Sequence, residues 1–589
     1  MNLLSLKNIF SADFLEKYGL VFILALFVAF GIVGIFYNYS ISNTIGEESI
    51  LMAATLKMIA ELSLRPNYPT MYHMPFGTYF YLPFFIVLLV FLRLSGLFAS
   101  LEELKVFGIT DYEKLLPMAR FISIFLGVAS VYMVYRICEK LFNNKFISLV
   151  ASFLLATNLI FVQMSHFGKV WIIQIFIVLL TFYFIVALYQ KERPGFKDYF
   201  YPALLTAISF GVHFIGILIY LPFLTAHYLK NKEKKFREIF ITNRNFWLSN
   251  LVIAIILLFI FYLNPYGFAN YGLRSVAAAA AIIQESAGAS GGYDFWLMFS
   301  NYGKVLFENG PALTIIFVFS LIPLFLRRRD LFFIFNSFIF GYYIIIGPIL
   351  GPTIGINGRG FYISPIIPFM AVVSAFGIYV FYKSDLLGKR INPVRNIISN
   401  GIKIFLLALV FLFSAYIPIL WNYKLIQPSA WILAKDWIYN NLPSGVSIIN
   451  LNTELPINEN KESVEDTRVY TPNFFTKKQD YLSSVGDNQY PKPNYYVLKF
   501  ADYREGIPKA VLDRGFDYMV IEWWDQARYE KTMQDVRQLN LEEINLIKIF
   551  PAGASSTTLN MDMENIKNPL INLRKIDHTG PVIAIYKLK

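Results

Sequence analysis

Two adjacent carboxylates, Glu47 and Glu48, stand in TIGEESILMAATLKMIAEL, directly after the first long apolar run. A carboxylate at a membrane face can deprotonate an acceptor hydroxyl or amine. It can also bind a divalent cation, Mg or Mn, together with a phosphate. Neighbours on a helix point about 100° apart, so only one of the pair faces a given site. The plainer alternative is a pair of solvated carboxylates that favour the positive end of a helix. The cations and histidines are fewer and more scattered. Arg120 opens an apolar run. Its forked donors suit a phosphate, although an arginine in that place also snorkels to the interface. His166 and Lys169 share QMSHFGKVW, His213 lies in ISFGVHFIGIL and His73 in YPTMYHMPFGTYFY. Arg359 and Tyr362 belong to INGRGFYISPIIPF, where the glycines flanking Arg359 permit close approach of a ligand to the backbone. Taken singly, each histidine is as readily a satisfied structural group. Polar groups at membrane depth are costly, so a set of them asks for a common reason. An acid beside a phosphate-sized group of cations fits transfer from a lipid phosphate better than it fits a solute pathway.

Those residues need elements to position them, and the composition says which. Of 589 residues 56% are hydrophobic and only 16% charged, against about 25% charged in soluble domains. Apolar segments of spanning length or slightly less occur at about 18–40, 117–140, 146–164, 170–189, 199–213, 214–229, 246–263, 311–326, 331–349, 361–382 and 402–421, about eleven in all. The pair between Tyr199 and Leu229 can equally be one long helix. The first segment has no small-residue cleavage site after it and reads as a retained span. The net charge of +12 does not indicate nucleic acid, because the Lys and Arg sit in short loops between apolar segments, as the positive-inside rule expects. The single cysteine, Cys138, excludes an intrachain disulfide.

Basic clusters at Arg136/Lys140/Lys145, Lys191/Arg193/Lys197, Lys230–Arg237, Arg327–Arg329 and Lys383–Arg395 are all placed on the cytoplasmic side. The N-terminus is then inside, and the loops 41–116, His166–Lys169, 264–310 and 350–360 are outside. This arrangement requires the apolar stretch 77–98 to lie at or dip into the outer face rather than cross. From about residue 422 charge, Asn, Asp and Pro become frequent. Residues 430–442 read as an amphipathic helix, and VSIINL, YYVLKF, FDYMVIEW and the terminal VIAIYKL read as strands, with a helical run near 528–540. The expected organisation is a membrane module over 1–421 and an extracytoplasmic soluble α/β domain over 422–589. No glycine-rich phosphate loop follows any of these strands.

In this order the motifs resemble the GT-C superfamily of polyprenyl-phosphate-sugar transferases. The similar branch holds the dolichyl-phosphate-mannose protein mannosyltransferases and the lipid A aminoarabinose transferase. That group has a first span, then an outer loop with an acidic pair, here Glu47-Glu48. A His/Pro stretch leading into an apolar helix follows, here HMPFGTYFYL with His73 and Pro75. Next come an Arg that opens a span, an outer Ser-Arg-like motif (SHFGK) and an Arg-Tyr-x-x-Pro-like motif (GRGFYISPIIPF). The likeness covers roughly 15–235 and 350–385. Three positions depart from the group: Glu47 stands where Asp is common, Trp171 or its apolar neighbours where an Asp follows the Ser-Arg-like motif, and His213 where a Lys is frequent.

The resemblance implies a GT-C-like fold with an in-plane outer helix. It also implies an inverting transfer of a sugar from a polyprenyl-phosphate donor to a protein, lipid or glycan acceptor. Glu47 and Glu48 would be the catalytic carboxylates and the ligands of any divalent cation. Arg120, Lys169, His213 and Arg359 would hold the donor phosphate, with His73, His166 and Tyr362 as further site candidates. A bacterial or archaeal plasma membrane is the expected location. The rival readings are a transporter or lipid flippase, and a non-catalytic GT-C-like scaffold. A transporter would want repeats and helices broken at the midplane, and no internal repeat of hydropathy is visible.

Overall fold

A computed structural model describes residues 12–39, 48–66, 74–265, 295–350, 360–384, 393–451, 455–500, 515–538, 544–552, 554, 563 and 566–588. Among them, seven helices are long and apolar enough to cross a membrane: Phe76–Leu94, Tyr112–Phe142, Val170–Gln190, Arg244–Leu263, Arg329–Gly347, Gly360–Lys383 and Gly401–Asn441. Two bent pairs meet the same test jointly. Lys145–Ala156 and Leu159–His166 meet at 65°, and Phe299–Asn309 and Pro311–Arg327 at 118°. The chain is a polytopic helical membrane protein, as its composition predicts. The remaining expected spans coincide with the first helix, Ala12–Ile32, whose apolar part is the shorter Lys17–Ile32, and with the short helices Phe196–Val212 and Tyr220–Asn231.

The breaks have local causes. Asn144 caps Lys145–Ala156 by accepting from the Ile147 N–H at 3.1 Å, and Asn158 caps Leu159–His166 by accepting from Phe161 at 3.2 Å. Each cap satisfies a helix-start N–H that has no intrahelical partner. The stretch between Tyr199 and Leu229 is two helices, not one. His213 adopts an extended backbone (φ −151°, ψ 134°), and a short 3₁₀ turn, Phe214–Ile219, joins the pieces.

Packing divides the chain into two compact units. The first comprises Met1–Ile35, Ile50–Val87 and Met118–Ile419; the second comprises Phe36–Ser49, Leu88–Pro117 and Leu420–Lys589. In the first unit, Gly360–Lys383 is the most enclosed of the candidate spans, whereas Arg244–Leu263 exposes Leu251, Ile255, Leu258 and Phe259. A helix apolar on every side can do either, because lipid accepts the outward face as readily as protein accepts the inward one. Rings of Phe182, Phe335 and Phe369 interlock at centroid distances of 4.8–6.1 Å.

The second unit carries a five-stranded mixed sheet, ordered β2-β1-β3-β5-β4, of β1 (Ser447–Leu451), β2 (Tyr496–Phe500), β3 (Tyr518–Trp523), β4 (Ile544–Phe550) and β5 (Val582–Leu588). β2, β1 and β3 are parallel, while β5 runs antiparallel to both β3 and β4. β1, β2, β3 and β5 are the four expected strands. β4 was not expected: its sequence INLIKIF lacks clean alternation, and four of its residues are exposed at the sheet edge. The helix Ala430–Asn441 buries Trp431, Ala434 and Ile438 against the sheet core. The segment Phe36–Ser49, distant in sequence, joins this unit by two side-chain bonds. The Tyr37 hydroxyl donates to Thr579 Oγ1 at 2.7 Å, and the Ser429 hydroxyl donates to Asn38 Oδ1 at 2.6 Å.

Candidate active site

The first helix ends at Ile32, and Gly34 follows with φ +75°. The turn that follows leaves the Gly34 and Ile35 carbonyls outside the helical ladder, to be satisfied by side chains. Two of the sequence candidates do this. Arg120 Nη1 donates to the Ile35 carbonyl at 2.8 Å, and His166 Nε2 donates to the Gly34 carbonyl at 3.1 Å. Because the two acceptors are consecutive, the arginine and the histidine are brought side by side. Both are buried, at 1% and 0% exposure. The guanidinium also lies over the Phe167 ring, 5.8 Å from its centroid. An arginine has five N–H donors, and this structural bond occupies one of them.

Lys169 sits two residues past Phe167, at the start of Val170–Gln190, with 1% exposure. Its ammonium lies 5.4 Å from the Phe361 centroid. Phe361 in turn touches Trp171 (5.5 Å between centroids), and Trp171 touches Tyr362 (5.0 Å) and His213 (4.6 Å). The short turn carrying Phe361 and Tyr362 is fixed by the Tyr342 hydroxyl, which donates to the Tyr362 carbonyl at 2.9 Å. His213 Nδ1 accepts from the Ile215 N–H at 3.4 Å, so the proton of the neutral ring is on Nε2. One continuous chain of contacts therefore links Arg120, His166, Lys169, Trp171, Tyr362 and His213 inside the first unit.

This arrangement encloses two cations within the first unit, each against an aromatic ring. It can hold an anion strongly, because charge interactions grow as the local dielectric falls. The sequence reading puts His166 and Lys169 in a short outer loop. Both are enclosed, because the loop between the two helices is short and both helices pack into the unit core. Glu48 opens the helix Glu48–Ala60 and is 2% exposed. It belongs by packing to the second unit. It is not the solvated helix-start carboxylate of the plainer alternative. Glu47, His73 and Arg359 lie outside the described residues. No group of three or more His, Cys, Asp or Glu able to hold a metal occurs among the described residues.

Trp171 and Gln174 were not singled out by type or spacing. Both look like ordinary members of an apolar span. The one available signal was negative: tryptophan occupies a place where the resembled group carries an acid.

The sequence model of the dolichyl-phosphate-mannose-protein mannosyltransferase family matches residues 113–262. That stretch contains Arg120, His166, Lys169 and His213, and the resemblance to the GT-C superfamily is borne out. A search of curated protein sequences finds no match. Among solved structures, ArnT from Cupriavidus metallidurans bound to undecaprenyl phosphate is 12% identical, with 70% of this chain and 72% of that one covered and a TM-score of 0.45. The Archaeoglobus fulgidus oligosaccharyltransferase in the apo form is 13% identical, with 87% and 70% covered and a TM-score of 0.48. The mycobacterial arabinofuranosyltransferase AftD is 12% identical, with 96% and 40% covered and a TM-score of 0.39.

Proposed function

We propose that this chain, which resembles the GT-C glycosyltransferases, transfers a sugar from a polyprenyl-phosphate donor to a protein, lipid or glycan acceptor at the outer face of a bacterial or archaeal plasma membrane. The observation that carries the reading is the pair of buried cations, Arg120 and Lys169, joined through Phe167 and Phe361 to His213. Enclosed cations of this kind suit a phosphate that gains charge during a reaction.

In the proposed step an acceptor oxygen or nitrogen attacks the anomeric carbon from the face opposite the lipid phosphate. The bond from that carbon to the phosphate oxygen breaks, and its electron pair leaves with the polyprenyl phosphate. The acceptor proton passes to the carboxylate of Glu47, with Glu48 in support. Attack and departure on opposite faces invert the anomeric configuration. Arg120, Lys169, His213 and Arg359 hold the phosphate, and His73, His166 and Tyr362 complete the surroundings. Such cations neutralise a monophosphate by themselves. A pyrophosphate donor would call for Mg or Mn on Glu47 and Glu48.

In this reading residues 1–421 form the transferase module and 422–589 an extracytoplasmic α/β domain that covers the site or selects the acceptor. The N-terminus is cytoplasmic, and the stretch 77–98 lies in the plane of the outer face. The test is turnover of a panel of radiolabelled polyprenyl-phosphate sugars by the purified protein and by Glu47→Gln. Wild-type turnover that drops at least ~100-fold in the variant is expected, since general-base assistance is worth about 10²–10⁴. Absence of turnover and of donor binding in a folded preparation would transfer the weight to a transporter or a scaffold.

A further inference from the structure

The helix Val170–Gln190 presents two polar atoms that have no hydrogen-bond partner among the described residues, Trp171 Nε1 and Gln174 Oε1. One is a donor and the other an acceptor. The residues are three apart, hence on one face of the helix, and are 1% and 2% exposed. An unmet buried polar group is expensive, and native structures contain few.

Both residues pack on the same piece of chain, the break between Phe196–Val212 and Tyr220–Asn231. The Trp171 ring lies against His213. The Gln174 amide nitrogen donates to Ser209 Oγ at 2.6 Å and lies where a Cβ on Gly216 would meet it at 2.4 Å. In this contact the amide nitrogen is used and its oxygen remains. Trp171 is held on three sides by His213, Phe361 and Tyr362. Its ring packing is thus complete while its N–H is not.

We propose that Trp171 Nε1–H and Gln174 Oε1 form a hydroxyl-reading pair that recognises the sugar of the donor, a role that rests on the transferase reading above. A donor and an acceptor together complement a hydroxyl, which is both, and do not complement a phosphate, which at neutral pH chiefly accepts. Aromatic rings beside them suit the apolar face of a sugar ring. Phe361 connects Trp171 to Lys169, one of the phosphate-holding cations, and in a lipid-phosphate sugar the hydroxyls lie next to the phosphate. Trp171 and Gln174 are specificity-determining residues in this scheme and take no part in bond making. A buried water offers the same hydroxyl chemistry, and the test separates the two occupants.

The test uses the full-length protein in detergent. Binding of undecaprenyl phosphate is compared with binding of undecaprenyl-phosphate mannose, glucose and arabinose, for wild type, Trp171→Phe and Gln174→Met. Thermal unfolding without ligand is recorded for each. Trp171→Phe keeps a ring and removes the donor. The expected result is a preference of wild type for at least one sugar-bearing lipid, reduced about tenfold in Trp171→Phe. Affinity for the bare lipid phosphate should stay within about twofold, and apo stability should be unchanged or raised. Gln174→Met should reduce the same preference independently of any stability loss. An unchanged preference in both variants overturns the proposal. So does an unchanged preference with lowered apo stability in Trp171→Phe, which would mean a bound water. Wild type that binds undecaprenyl phosphate and shows no sugar preference also overturns it while leaving the donor-phosphate reading standing. Wild type that binds none of these lipids overturns both.

Discussion

Two buried histidine–aromatic clusters occupy the first unit, and they differ in one respect. Around His227 every polar atom has a partner. The Tyr199 hydroxyl donates to Nδ1 at 3.0 Å, Nε2–H donates to the Ile239 carbonyl at 2.9 Å, and the ring stacks on Phe246 at 4.3 Å. Around Trp171 the rings are packed as closely, yet a donor and an acceptor are left over. The first cluster closes on itself and ties two helices to the 237–241 turn. The second is complete in its apolar contacts and incomplete in its polar ones, beside two buried cations. Burial and aromatic content are alike, so neither separates structure from function. The hydrogen-bond balance is what differs between them.

The comparison can be broken first at its charged edge. Replacing Arg120 by Gln should lower turnover of the lipid-sugar donor by about 10²–10³, the usual cost of removing one charge-stabilising donor. Thermal unfolding of the same variant reports separately on loss of the bond to the Ile35 carbonyl, which the shorter Gln does not reach. Retention of full turnover in Arg120→Gln would reduce Arg120 to a cap on the first helix. His227→Phe comes next and tests the closed cluster. It keeps the stack on Phe246 but leaves the Ile239 carbonyl unmet and takes away the acceptor of the Tyr199 hydroxyl, at about 1–3 kcal/mol in all. The melting temperature should fall clearly, with turnover per folded molecule unchanged. A loss of turnover without loss of stability would make His227 functional and erase the distinction. Gly216→Ala should cost about 1–3 kcal/mol by overpacking, because its Cβ would lie 2.4 Å from the Ser209 carbonyl oxygen and from the Gln174 amide nitrogen. Turnover should fall with it, as the break at His213 is displaced. Neutral melting and turnover would show that this segment yields freely.

Much of this architecture is legible in the sequence because hydropathy and strand patterns are long-range averages. The helical membrane portion, the four strands VSIINL, YYVLKF, FDYMVIEW and VIAIYKL, and the order of motifs around Arg120, Lys169 and His213 all appear that way. β4 is not legible, since an exposed edge strand with Lys548 and Asn545 among its apolar residues has no clear period. The grouping of Phe36–Ser49 and Leu88–Pro117 with the C-terminal sheet is not legible either. It depends on single pairs such as Tyr37 with Thr579, 542 residues apart. His213 reads as a residue inside an apolar span, and only the coordinates show that the helix stops there. Trp171 and Gln174 are invisible for a related reason. Their interest lies in what each polar atom lacks, and residue type alone does not report a missing partner.

The smallest expected effect is also the sharpest probe, because it acts within one side chain. The Gln174 nitrogen is bonded to Ser209 Oγ and its oxygen is not. Ser209→Ala converts the bonded half to the condition of the unbonded half. Losing that buried bond should lower stability by about 1 kcal/mol whatever the amide is for. If the amide is held for a ligand, the substitution should also blur sugar preference by a few-fold, since the acceptor is no longer aimed. Thermal unfolding and the ratio of sugar-bearing to bare lipid affinity report the two effects separately. A fall in stability with an intact ratio would mean that the bond to Ser209 stiffens the His213 break and does not direct Gln174. The polar imbalance would then reside in Trp171 alone.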